Sequence, residues 1–246
     1  MRPAFILNGI GHRPPNSFTL KFWEYLANLA YPMKALLFAI LVSITFAKAA
    51  EQVSSILSKD GQTIDKAKVK EFIEWSEPHI REYPPRFENE DQQKRITFSS
   101  LLVTGEIRKL DTKQIKDANL LTDLGHIMAM GHNIDLPTAE RGKEIFEQAI
   151  AEEPANKRAN YLFGMFLVST SKYQNEALKY LKKAAELGEK DAQFTVGLIL
   201  CRQGEKEKGL KELEAYAKAN PDNEHVKEII KSIKDGTLKF RESGDE

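Results

Sequence analysis

The chain has 246 residues, 41% of them hydrophobic and 29% charged, with 36 Lys or Arg balanced by 36 Asp or Glu. That balance leaves no basic field for a nucleic-acid surface. A single cysteine, Cys201, excludes an intramolecular disulfide, so stability must come from packing.

Residues 1–32 hold Pro14-Pro15, Gly9, Gly11 and scattered aromatics with no sustained helical or strand period. They read as neither domain nor targeting element, and the expectation is a mis-assigned start with Met33 as the initiator. From Met33-Lys34 the sequence enters thirteen uncharged residues, Ala35 to Ala47, followed by Lys48-Ala49. A short basic start, an apolar run of this length and small residues at Ala47 and Ala49 have the anatomy of a secretory signal peptide over 33–49. The run is too short for a span of about 20 apolar residues. Cleavage near Ala49 would place the chain in the periplasm or outside the cell, with no stable membrane span. No Cys comes directly after the run, which removes the lipoprotein option. The rival reading keeps Phe22 to Ala47 as an uncleaved inner-membrane anchor, against which Glu24, Asn28 and Lys34 weigh because charge at depth is costly. Cleavage leaves 197 residues with 31 basic and 35 acidic side chains, a net charge of −4.

Residues 50–118 show helical period without a repeat. Val69, Phe72, Ile73 and Ser76 share one stripe of a helix that starts after Thr63, with Asp65 near its N-terminus and Trp75 and Ile80 on the apolar edge. Pro78 kinks or ends it, and Tyr83-Pro84-Pro85 marks a rigid turn. A second helix over 89–110 places Ile96, Leu101, Leu102, Ile107 and Leu110 on one broad face. Gly105 inside it signals a close helix crossing or a weak spot. This region is expected to cap the open end of the helices beyond residue 118.

One pattern recurs over 119–221. Gly164, Ala177, Leu181 and Ala184 return as Gly197, Gly209, Leu213 and Tyr216, and an earlier copy reads Gly125, Gly142, Phe146 and Ala149. A small residue lets two helices touch and a large one fills the space beside it, so each copy is a helical hairpin. Pro154 and Pro221 stand where a residue that cannot continue a helix is expected. The first copy is longer between its two glycines, and the excess is expected as a loop at 131–137. Asp222 or Asn223 can start a terminal helix over 222–236 with Val226, Ile229, Ile230 and Ile233 on one stripe. Residues 237–246 are polar and expected to fray. Cys201 is expected as a small buried apolar residue beside Ile199 and Leu200.

These signatures ending in Pro resemble tetratricopeptide repeats. The stretch Ala184-Ala185-Glu186-Leu187-Gly188 followed by Asp191-Ala192-Gln193-Phe194 is similar to the related Sel-one-like repeats, here of an exported bacterial type. The resemblance implies an all-α fold, a right-handed α-α superhelix of hairpins with helical caps at both ends, acting as a protein-binding scaffold. No enzyme is implied and no cofactor.

The residues themselves offer little chemistry. There is no phosphate loop, no His-Glu-x-x-His helix, no nucleophile elbow and no Cys-x-x-Cys pair. His126, His132 and Asp135 have side chains suited to a transition metal, and they sustain the alternative of a metal-dependent protein or enzyme. The bland reading is that His126 lines the groove while Asn133 and Asp135 make turn hydrogen bonds. Glu74, Glu77 and His79 gather around Trp75, but Pro78 breaks the geometry that acid–base work needs.

Counting each unit from its Gly puts Arg158, Tyr161, Met165 and Ser169 on the concave side of the middle unit. Asp191, Phe194, Leu198 and Arg202 fall there in the last unit, and Asn119, Thr122, His126 and Met130 in the first. The expected binding groove is therefore Arg158, Tyr161, Met165, Phe194, Leu198, Arg202 and His126, aromatic and Met-lined with two arginines for a carboxylate. A protein or peptide partner is expected, with a groove filled by the second subunit of a homo-oligomer as the alternative.

Overall fold

The computed structural model describes residues 55–58, 63–170 and 174–238. The expected extension at 1–32, the signal at 33–49 and residues 239–246 of the tail lie outside them. Among the described residues the chain is all-α. Nine helices succeed one another: α1 Lys66–Ile80, α2 Glu90–Lys109, α3 Ala118–His132, α4 Ala139–Glu152, α5 Lys157–Ser169, α6 Gln174–Glu186, α7 Lys190–Arg202, α8 Lys206–Ala219 and α9 Glu224–Lys234. One isolated antiparallel bridge, Leu57 to Ile64, precedes them. The chain forms two compact units that divide within α4, between residues 148 and 149. The repeat pattern places its own break elsewhere, at 118/119.

In the first unit, helix starts are set by side-chain caps. Asp65 accepts from the backbone N–H of Ala67 and Lys68, Asn89 from Gln92, and Asp117 from Asn119 and Leu120. α1 buries Val69, Phe72, Ile73, Ser76 and Ile80, the expected stripe, and runs through Pro78 to its end two residues later. α2 departs from expectation. Its buried face is Ile96, Ser99, Ser100, Val103, Thr104 and Ile107, while Leu101 is 52% exposed. Small hydroxyl residues let α2 lie close to α3, as Thr104 Cγ2 shows, standing 3.1 Å from where a Cβ on Gly131 would be. No atom lies within 4 Å of a Cβ built on Gly105, so that glycine makes no close crossing among the described residues.

The hairpins match the repeat closely. A Cβ on Gly125 would lie 2.9 Å from Phe146 Cδ1 within the first unit. In the second unit, one on Gly164 would meet Leu181 Cγ at 2.6 Å and one on Gly197 would meet Leu213 Cγ at 2.7 Å. Each glycine thus faces the large residue of its hairpin's second helix, and any side chain there would push the helices apart. The long first copy spends its extra residues partly on helix: α3 continues to His132, and the turn is confined to residues 133–138. Asn133 ties this turn to α1, its Nδ2 donating to the carbonyls of Ile80 and Arg81 at 3.1 and 2.8 Å. In the second unit α9 closes the array, burying Val226, Ile230 and Ile233 against Phe194, Leu198, Cys201, Leu213 and Tyr216.

Asp117 joins two elements of the first unit, capping α3 and accepting from Lys66 Nζ of α1 at 2.6 Å. The Lys66 hydrogen bond and then the Leu120 N–H hold its carboxyl below the ordinary aspartate range. Both side chains of the pair are well exposed, at 62% and 37%, so salt screens it and the cap carries most of the effect. Asp117→Ala is expected to cost about 1 kcal/mol near pH 7. A depressed carboxyl stabilises above its unfolded pKa and loses that contribution as pH falls through the folded one. The difference between wild type and Asp117→Ala should therefore shrink below about pH 4, as urea unfolding at several pH values will report.

Candidate interaction face

The residues named from sequence for metal or acid–base chemistry are not gathered. His126 of α3 is 5% exposed and its Nε2 lies 3.2 Å from Glu77 Oε1 of α1. His79 turns elsewhere: its Nδ1 donates to the Arg86 carbonyl at 3.2 Å, and Gln92 Nε2 donates to its Nε2 at 3.3 Å. Glu77 and His79 thus hold two different neighbours, which dissolves the group around Trp75. His132 and Asp135 border a shallow depression with Leu136, Pro137, Ala139 and Glu140, and His126 is not part of it. Among the described residues no three of His, Cys, Asp or Glu are placed to hold a metal ion.

The expected groove is reduced by its caps. In the first unit α1 covers the α3 face: Thr122, His126 and Met130 are all buried, and Ser76 Oγ approaches Met130 Sδ at 3.9 Å. In the second unit Phe194 and Leu198 are 4% and 5% exposed, since α9 lies across them. Phe194 also stacks tilted on Tyr216, ring centroids 5.3 Å apart. These three groove assignments, His126, Phe194 and Leu198, are therefore corrected to core positions. Helical spacing identifies the face on which a residue stands; it does not say whether a terminal helix covers that face.

What stays accessible lies on α5 and at the end of α7. Arg158 is exposed, and Tyr161, Met165 and Ser169 are half-buried along α5. Thr195 Oγ1 of α7 stands 3.9 Å from Met165 Sδ, which places the thioether at the seam between the two hairpins. Arg202, in the last turn of α7, is half-buried, and burial pushes its guanidinium below the ordinary value. Beneath α5 the aromatic rings pack together, Phe163 lying 4.5 Å from Tyr180 of α6 and 6.5 Å from Phe166. Asn160 is 2% exposed, and its Nδ2 donates to the carbonyls of Pro154 and Asn156. Cys201 is buried, and desolvation raises its thiol pKa, so it behaves as a packing residue.

Compared with known proteins, residues 150–235 match the family model for plant tetratrico peptide repeats. No curated protein and no solved structure matches the chain. The matched stretch begins inside α4 and takes in the two regular hairpins and α9, leaving the longer α3–α4 hairpin outside. It coincides with the second compact unit. The segment from α5 to α9 is thus similar to tetratricopeptide repeats, which generally mediate contacts between proteins.

Proposed function

We propose that the protein is a non-catalytic scaffold that binds a protein or peptide partner through α5, with Arg158, Tyr161 and Met165 as the contact residues and Arg202 at the far end of the face. The observation behind this reading is the contrast along the first helices. The side chains corresponding to Tyr161 and Met165 are buried in the other two first helices, Thr122 and His126 under α1 and Phe194 and Leu198 under α9, whereas Tyr161 and Met165 themselves are half-buried, beside an exposed Arg158. A tyrosine ring, an adaptable thioether and an arginine form a combination suited to an apolar anchor flanked by a carboxylate. The apolar run at 35–47 belongs to the same proposal: the partner is met in the periplasm or outside the cell, after cleavage near Ala49.

Crosslinking in native cells followed by mass spectrometry tests both parts. Tyr161→Asp with Met165→Asp should reduce recovery of the crosslinked partner roughly tenfold or more while the melting curve stays cooperative. Equal recovery from the folded variant would sink the assignment of the face. The N-terminal sequence of the recovered protein should begin near Ala50, and one beginning at Met1 would remove the export reading.

A further inference from the structure

The outer face of α2 carries features that neither capping nor the repeats require. Leu101 is 52% exposed at the centre of this face, between half-buried Phe98 and Leu102. Gly105, four residues on and on the same side, has open space where a side chain would be. A glycine inside an exposed helix costs roughly 0.5–1 kcal/mol relative to Ala, and it leaves a gap in the side chains of this face beside Leu101. The charges at the two ends of α2 are opposite: Glu90 and Asp91 in the first turn, Arg108 and Lys109 in the last.

We propose that α2 is a homodimer surface, pairing antiparallel with α2 of a second copy about a two-fold axis between Ser99 and Ser100. Such an axis brings each Leu101 onto Phe98 of the partner subunit. Gly105 then faces Lys94 of the partner subunit, whose aliphatic stem can lie over the missing side chain. Glu90 meets Lys109 of the partner subunit, and Asp91 meets Arg108 of the partner subunit. Every contact occurs twice, as a closed isologous interface demands. The charge pattern selects this register: moving the axis one and a half residues along to Leu101 would set Lys94 against Arg108 of the partner subunit. The acids have to give up little, because their present partners are exposed i,i+4 pairs, Lys94 to Glu90 and Arg95 to Asp91, each at 3.3 Å. Two helices of 20 residues, each about 30 Å long, make a contact at the low end of specific interfaces. The dimer is therefore weak and concentration-dependent, and it uses none of the residues of α5 proposed for the partner.

Sedimentation of the full chain over a range from about 1 µM to about 500 µM tests this, the range being set by the expected micromolar affinity. The expected mass rises from one copy to two. Leu101→Lys should weaken association at least tenfold and leave the melting temperature of the dilute protein unchanged, since the side chain is exposed. Gly105→Ala should weaken association while raising that melting temperature, a combination that a purely local role for the glycine would not produce. Glu90→Lys alone and Lys109→Glu alone should each weaken association, and a mixture of the two should restore it as a heterodimer. A mass of one copy throughout overturns the proposal. So does a dimer that Leu101→Lys leaves intact, which would assign the association to the N-terminal segment or to the α5 face.

Discussion

Gly209→Ala is expected to destabilise the protein by about 3 kcal/mol or more, the upper range for an overpacked core site. A Cβ there would stand 2.3 Å from Cys201 Sγ, 2.6 Å from the Gly197 carbonyl oxygen and 2.8 Å from the Cys201 nitrogen. Two of these three are backbone atoms of α7 and cannot rotate away. The methyl group can be accommodated only if α7 and α8 move apart, and that withdraws Leu213 from its seat over Gly197 as well. Adding Cys201→Ala should recover part of the loss by removing the sulfur, and the backbone collisions should remain. Urea unfolding of the wild type, the single variant and the double variant measures this. A loss under about 1 kcal/mol would mean that the two helices separate more easily than their packing implies.

The second large effect concerns α9. A chain ending at Pro221 would uncover Phe194, Leu198, Leu213 and Tyr216, which α9 now buries with Val226, Ile230 and Ile233. Fully burying an aliphatic side chain stabilises by roughly 1.5–3 kcal/mol, so losing three of them removes on the order of 5 kcal/mol before the newly exposed residues are counted. That rivals the whole stability of a typical domain. The shortened protein should lose its cooperative thermal transition and aggregate, while far-UV circular dichroism at low temperature keeps part of its helical signal. A Pro221-terminated chain that stays soluble and melts within a few degrees of wild type would show that α9 is dispensable. Replacing Ile233 with Asp in the full chain gives an independent check, because it leaves α9 in place with a charge on its buried side.

Most of the fold was legible because the repeat is written in residue size. Gly125, Gly164 and Gly197 mark three helix contacts, and Phe146, Leu181 and Leu213 fill them as the spacing implied. The helix starts at Asp65 and Asn223 were equally local signals. What could not be read was which faces a neighbouring helix covers. Leu101 looked like a core residue because leucines usually are, yet α2 turns its hydroxyl side inward and seats Ser99, Ser100 and Thr104 there. Small polar residues next to a helix carry no apolar period, so a pattern search scores that face as surface. The groove had the same weakness. His126, Phe194 and Leu198 lie at the expected helical positions, and their burial depends on α1 and α9, which are distant in the chain. His126 had one usable signal: Glu77 lies on a helix able to pack over it, and a histidine on an otherwise apolar face needs a partner of that kind.

Pro221 leaves its hairpin at the same point as Pro154 leaves the one two units earlier, and α9 requires from its neighbour little more than the five buried side chains Phe194, Leu198, Cys201, Leu213 and Tyr216. The array can therefore lengthen without redesign. A duplicate of residues 190–221 placed ahead of Asp222 would offer α9 an identical seat, and the original copy would become an interior one. Growth of such a chain comes in whole hairpins, so its reach along a partner changes in steps of one unit while its closing helix stays the same.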